Sequence, residues 1–321
     1  MRKALITGIY GQDGSYLAEI LEKKGYDIRG IVHIPLSDNS IRIKDELHNK
    51  GLVFPTEDIS LTNYNEVKKV VNGYKPDEIY HLAARHFSAE DAGSKAESDI
   101  FADNIKSTAN ILEACYNENL NAHIVTAGTC LMYDSTDTTF QSEKTMFSSK
   151  SYYGIAKITE NMLVKMYRDK GLFACTAILY NHESHRRSDS FVTRKIIKNL
   201  VAIKKGKIKR FTLGDLEAKK DWGYAKDYAY GMHLMAQQNK PRDIVLATGQ
   251  LHSIEEFVIE CARQLGLDDW RRYIEIDDRI LLRKNETILR GDATLAYNEL
   301  NWKHTLDFKE LIQVMIEAEK V

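Results

Sequence analysis

The sequence predicts an α/β fold: a doubly wound parallel sheet followed by a smaller C-terminal domain. Three observations lead there. Short apolar strands alternate with amphipathic helical segments through the first 180 residues, the first strand runs straight into a glycine-rich turn, and the alternation breaks down after Tyr180. With 321 residues, 43% hydrophobic content and a formal net charge of -1, the chain can bury one large or two medium cores. The near-neutral balance leaves no basic footprint for nucleic acid. No apolar run reaches 18 residues, so no membrane span is expected. Because Met1-Arg2-Lys3 gives way at once to a strand, no signal peptide is expected either, and the expected compartment is the cytoplasm. Cys115, Cys130, Cys175 and Cys261 sit in apolar segments without paired or metal-ligand spacing, which reads as reduced, buried thiols and no metal site.

Residues 4–7 form the first expected strand, 15–24 the first amphipathic helix, and between them stands Gly8-x-x-Gly11-x-x-Gly14. In that strand–turn–helix context the glycines permit a tight turn, close approach of backbone to a pyrophosphate, and close helix-to-sheet packing. A Rossmann-type dinucleotide site follows, with the helix N-terminus toward the phosphates. Residues 25–33 read as the second strand, but 34–37 hold neither an acidic residue for an adenosine ribose nor an arginine for a 2′-phosphate. Residues 52–54 lead to a third strand end at Glu57-Asp58-Ile59, and 76–84 form a fourth strand ending in the small residues Ala83 and Ala84. Residues 105–117 read as a helix, 123–127 as the fifth strand, 151–168 as a helix, and 173–179 as a further strand. Beyond it, 181–187, 191–195, 213–223 and 283–292 read as loops of a domain that closes over a ligand. Hence 1–180 is expected to bind dinucleotide and 181–321 substrate, with a strand near 224–250 returning to the sheet. With only four prolines no rigid linker separates the two, which share a cleft.

Tyr153 and Lys157 stand four residues apart at the start of the 151–168 helix and so share a face. An ammonium beside a phenol favours phenolate, which makes Tyr153 a base for an alcohol proton near neutral pH. Taken alone the spacing also suits a core tyrosine with a solvated lysine. The glycine turn is what favours the chemical reading.

Together with Thr129 after the fifth strand, these motifs resemble the extended short-chain dehydrogenase/reductase family. Within it, Gln12-Asp13-Gly14-Ser15-Tyr16, Asn181-His182-Glu183-Ser184, Arg186-Arg187, Phe191-Val192-Thr193-Arg194-Lys195, Asp221-Trp222-Gly223 and Ala247-Thr248-Gly249 are similar to the GDP-mannose 4,6-dehydratases. The resemblance implies a cofactor site of Gly8, Gly11, Gln12, Asp13, Gly14, His33, Asp58, Ile59, Leu82, Ala83, Ala84, Tyr153, Lys157, His182 and Arg187. It implies that Asn181, Val192, Lys195, Lys220, Arg283 and Glu286 hold a GDP-sugar, that Thr129, Tyr153 and Lys157 are catalytic, and that the chain forms a homodimer or homotetramer through helices 105–117 and 151–168. Where that family carries arginines for a 2′-phosphate this chain has His33 and Ile34, which favours NAD. Where it carries the glutamate that removes the sugar C5 proton, this chain has Leu131 or, one residue shifted, Cys130. The implied activity is oxidation of a GDP-manno-type sugar at C4 without loss of water, with a second carbonyl compound such as a 2-keto acid as a possible hydride acceptor. A C4 epimerase, a dehydratase that recruits another acid such as Asp134, and a non-catalytic NAD-binding protein stay open as alternatives.

Overall fold

The computed structural model describes residues 1–85, 96–277 and 288–320. β1 (Lys3–Thr7) leads into α1 (Gln12–Glu22), β2 (Asp27–Val32) into α2 (Asp38–Asn49), β3 (Thr56–Asp58) into α3 (Tyr64–Tyr74), and β4 (Glu78–His81) is followed by α4 (Glu97–Asn117). β5 (His123–Ala127) leads through a short helical turn at Cys130–Tyr133 to α5 (Tyr152–Asp169), then β6 (Ala174–Leu179) and β7 (Asn181–Glu183). α6 (Val192–Lys204), β8 (Phe211–Leu213), β9 (Lys219–Tyr224), α7 (Ala225–Ala236) and β10 (Ile244–Leu246) come next. β11 (Leu251–Ser253), α8 (Ile254–Leu265), β12 (Ile274–Ile276), α9 (Thr294–Leu300) and α10 (Phe308–Lys320) complete the chain.

Seven strands form one parallel sheet in the order β3-β2-β1-β4-β5-β6-β10. Its strand order reverses between β1 and β4, the switch point beyond which ligands of doubly wound sheets bind. Alternate side chains of each central strand enter opposite cores, as a pleat covered on both faces requires. Leu5, Ile79 and Ile124 pack with Val67 and Val71 of α3, Ile111 and Leu112 of α4, and Val164 of α5. Ile6, Tyr80 and Val125 face α1 and α7 through Leu17, Leu21, Tyr228 and Met232. A third core lies outside the sheet, where Ile196, Leu200, Phe257, Cys261, Leu311 and Met315 of α6, α8 and α10 close against Trp222.

Several elements differ from the sequence reading. α1 starts at Gln12, inside the glycine motif, because Gly11 already accepts the first helical bond from the Ser15 amide. α4 starts eight residues before the expected 105, over a polar stretch with little apolar period. The third strand is 56–58, shifted past Pro55, which has no amide to give the ladder. The segments read as loops contain β7, β9 and the first turn of α6; β9 carries the polar run Lys219-Lys220-Asp221, whose lack of alternation hid it. Of the 283–292 segment, 283–287 lie outside the described residues.

Arg186 ties the segment after β7 to the first two helices. Its guanidinium is fully buried, stacks over Tyr16 at 4.2 Å, and pairs with Glu19 of α1 at 2.5 Å and Glu46 of α2 at 2.6 Å. Arg186→Met would remove the buried guanidinium and leave Glu19 with Lys50, and Glu46 with Lys50 and His185. It should cost about 3 kcal/mol, the low end for breaking a buried pair because both carboxylates keep some solvent. Urea unfolding midpoints check this, and a loss under about 0.5 kcal/mol, the range of a neutral surface change, would contradict it.

Candidate active site

The glycine turn is built by contact. Gly8 adopts φ +72, and a side chain on Gly14 would sit 2.3 Å from the Gly8 carbonyl, so α1 can meet the end of β1 only with glycine there. No side chain caps α1, so its first amides are left for an anion. The hydroxyl of Thr7 accepts the amides of Leu82 and Ala83, both at 3.0 Å, and a Cβ on Gly8 would stand 3.2 Å from Ala83 Cα. The two strand ends at the switch point thus form one narrow backbone floor. A cradle that a single Cβ would fill, beside uncapped helical amides, fits a dinucleotide. His33 and Asp58 are exposed at the ends of β2 and β3, where Asp58 accepts the Ile34 amide at 3.1 Å; Ile59 follows, partly buried.

Gln12 and Asp13 fasten that turn to the segment after β6. Gln12 Nε2 donates to the His182 carbonyl at 3.0 Å, and Gln12 Oε1 accepts from Ser184 at 2.8 Å. His182 Nδ1 contacts the Tyr180 carbonyl at 2.6 Å and Nε2 contacts the Asp13 carboxylate at 3.0 Å. A carbonyl and a carboxylate both require a donor, so the ring is an imidazolium. Burial works against this charge, but the Asp13 carboxylate more than reverses it and His182 is raised above its ordinary value. Burial likewise pushes Asp13 up, and the charges of His182 and Arg187 bring it below the usual carboxylate range. Arg187 lies 3.7 Å over the Phe191 ring, at the N-terminus of α6.

Ser151 caps α5 by accepting the Gly154 amide at 3.1 Å, and its own hydroxyl donates to Asp134 at 3.0 Å. This starts the helix so that Tyr153 and Lys157 share its inner face. Lys157 is only 3% exposed, with Nζ 5.8 Å from the Tyr153 ring centre and 3.0 Å from Glu160 Oε2. The phenol is nevertheless held above its ordinary value, against the expectation of a lowered one. Burial raises it by more than Lys157 lowers it, and the Glu160 carboxylate adds to the rise.

Thr129 opens the turn before α5, its hydroxyl accepting the Leu131 amide at 3.3 Å. A Cβ on Gly154 would stand 2.4 Å from the Leu131 carbonyl, so this turn lies directly against the first turn of α5. Cys130 Sγ donates to Asn181 Oδ1 at 3.8 Å, and burial pushes its thiol up to about 11. Lys220 of β9 acts electrostatically on the same thiol, with its own ammonium disfavoured by burial. Thr129, Asn181 and Lys220 therefore gather around Cys130, in the turn that lies against the start of α5. Val192 and Lys195 lie in the first turn of α6, whose N-terminus no side chain caps. Arg283 and Glu286 lie outside the described residues. Sequence reading missed Thr7, His81, Thr108 and Glu160, which run as a buried hydrogen-bonded series from β1 to Lys157. Only the three-residue spacing of Lys157 and Glu160 could have signalled it.

A dinucleotide cradle at the switch point, with a tyrosine and lysine on the helix after β5, defines a dinucleotide-binding α/β protein. Residues 5–315 match the family model described as GDP-mannose 4,6 dehydratase, and the chain belongs to that family. It is 39% identical to GDP-mannose 4,6 dehydratase 2 of Arabidopsis thaliana, covering 98% of this chain and 86% of that one. Identity to the human GDP-mannose 4,6 dehydratase is 36%, over 98% and 91%. Among solved structures, UDP-glucose 4-epimerase of Thermotoga maritima shares the fold with TM-score 0.82 at 18% identity, over 99% and 98% of the two chains. dTDP-glucose 4,6-dehydratase of Bacillus anthracis, solved with NAD, gives 0.83 at 17% identity, over 100% and 97%.

The His182–Asp13 pair makes stability depend on pH. Because His182 is raised in the folded chain, its contribution is complete below about pH 6.5 and is lost as pH rises through the raised value; Asp13, being lowered, loses its share only in acid. Unfolding free energies measured between about pH 6.5 and pH 9 should therefore fall more steeply in the wild type than in His182→Gln. Parallel curves would show that the pair is uncharged.

Proposed function

We propose that this protein oxidises C4 of a GDP-sugar of manno configuration, a mannose or a heptose of that shape, to the 4-keto sugar without eliminating water. The observation that carries the reading is the turn against α5. Its side chains Thr129, Cys130 and Leu131 include no carboxylate, and the nearby Asp134 has both oxygens engaged, by the Lys150 amide at 2.9 Å and the Ser151 hydroxyl at 3.0 Å. Elimination of the 6-hydroxyl needs a base for the C5 proton, and neither leucine nor a thiol with pKa near 11 serves at neutral pH.

NAD would be held by the Gly8–Gly14 turn, Leu82, Ala83, Ala84, His182 and Lys157, and when bound it supplies a hydride acceptor with a positively charged ring. Exposed His33 and Ile34 offer a 2′-phosphate no fixed guanidinium, and Arg42 of α2 bonds Asn39 instead, which supports NAD over NADP. Tyr153 takes the C4 hydroxyl proton, Thr129 orients that hydroxyl, and Lys157 places a positive charge beside the phenol. Lys220 and the N-terminal amides of α6, with Lys195, offer positive charge to the nucleotide diphosphate. Since no acceptor forms on the sugar, sustained turnover requires an oxidant such as a 2-keto acid. The family's named activity, 4,6-dehydration, is the second reading.

Product mass decides between them. With GDP-mannose or its heptose counterpart, the product should be two mass units below the substrate, retain the 6-oxygen and take up no deuterium at C5 from heavy water. NAD and the GDP-sugar should serve better than NADP and the UDP-sugar. Tyr153→Phe should lower the rate about a hundred- to ten-thousand-fold, the usual contribution of general acid–base catalysis. Loss of 18 mass units, the mass of water, would sink the dehydrogenase reading, and a C4-inverted sugar without net oxidation would establish an epimerase.

A self-association follows from α5. Tyr152, Ile155, Met162 and Met166 are 50%, 41%, 64% and 42% exposed and lie along one stripe of the helix, with exposed Tyr116 on the neighbouring α4. This face supports pairing of α4 and α5 with the same helices of a second copy, as a homodimer or as part of a homotetramer. Sedimentation should show an oligomer for the wild type and a lighter species for Ile155→Asp/Met162→Asp. A monomeric wild type would refute it.

A further inference from the structure

The lysine of the site is not left to the tyrosine and cofactor alone. Its ammonium is held by a carboxylate at the end of a hydrogen-bonded series whose every donor is assignable. Thr7 Oγ1 accepts the Leu82 and Ala83 amides, so its proton points to His81 Nδ1 at 2.9 Å. Burial, with the nearby Lys157 charge, pushes His81 down to about 3, so the ring is neutral and its remaining proton sits on Nε2. That nitrogen lies 3.1 Å from Thr108 Oγ1 and 3.4 Å from Ser107 Oγ, whose own hydroxyl donates to the Asn104 carbonyl. Thr108 then donates to Glu160 Oε2 at 2.9 Å, the same oxygen that takes Lys157 Nζ at 3.0 Å. Glu160 Oε1 is buried with no hydrogen-bond partner among the described residues.

We infer that Glu160 is a positioning residue for the reaction: its carboxylate, oriented by Thr108, keeps Lys157 in the ammonium form beside the Tyr153 ring. As a stabilising device alone the pair is poor, since desolvating two charges costs about as much as their attraction returns. As a counter-charge it answers a specific need. Burial is the largest influence on Lys157 and disfavours its charge; Glu160 first and Tyr153 second restore it. The other groups facing the pair are His81 from β4, neutral, and Arg187 and Asp13, whose charges act on Tyr153 from the segment after β7 and from α1. Of these only Glu160 bonds the ammonium. Without it, Tyr153 alone opposes the burial of the amine, and the ammonium gives up its proton more readily as pH rises. A neutral amine places no positive charge beside the phenol, and the balance at Tyr153 shifts further toward burial, which holds its proton.

Glu160 acts through the Tyr153 chemistry proposed above, so the test has one arm that needs that reaction and one that does not. In the first, NADH formation from the GDP-sugar is followed in a single turnover. Glu160→Gln should lower its rate constant about tenfold or more at neutral pH, the effect of one pKa unit, while apparent substrate affinity changes less than about threefold and Glu160→Asp recovers most of the rate. In the second, ¹³Cε-labelled lysines are titrated by NMR with NAD bound, Lys157 being assigned through Lys157→Met. The Lys157 resonance should titrate at least about one pH unit lower in Glu160→Gln. Thr108→Val, which keeps the charge and loses its orienting donor, should give a smaller shift in the same direction and serves if Glu160→Gln does not fold. An unchanged Lys157 titration overturns the inference whether or not the GDP-sugar is oxidised. A wild type that forms no NADH, with the Lys157 shift still present, refutes the proposed reaction and leaves Glu160 its role.

Discussion

The tether between the glycine turn and the segment after β6 is the interaction on which the site depends. Gln12 bonds backbone and side chain of His182–Ser184, and Asp13 meets His182 as an ion pair. Both residues belong to the first turn of α1, whose amides no side chain caps, so the geometry of that turn and the placement of 181–187 are one constraint. Arg186 repeats the tether nearly two turns further along α1, on Glu19, and reaches Glu46 of α2 as well. A change in one segment is felt in the other because three buried polar links, each costly to leave unpaired, join them.

Electrostatics at Tyr153 is a contest of burial against charge. The dry environment that makes a phenolate costly also strengthens every charge around it, so the outcome rests on which charges are present. In this chain Lys157 faces both the phenol and Glu160, and its positive charge is divided between them. The hydroxyl and imidazole series ending on Glu160 draws its first donors from the backbone floor of the dinucleotide cradle. The glycine cradle and the Tyr153–Lys157 helix are joined through Thr7, which terminates β1 and precedes Gly8.

Much of this was legible in the order of residues. The first strand and its glycine turn are short-range features, and so are the fifth strand and the helix bearing Tyr153 and Lys157; each is a local pattern whose period or turn chemistry suffices. The sequence also determines the absence of a carboxylate at 129–133, and with it which proton transfers that turn can perform. Other features were decided only when the chain closed. Short strands such as β7 and β9 exist because they pair with each other, since neither carries an alternating pattern. The raised phenol of Tyr153 follows from burial by distant segments, which spacing along α5 does not report. Glu160 gains its role from Thr108 and His81, which lie 52 and 79 positions away and reach it only because β4, α4 and α5 pack side by side. Local patterns fix which groups a chain offers, while burial and long-range contact set their charge and their partners.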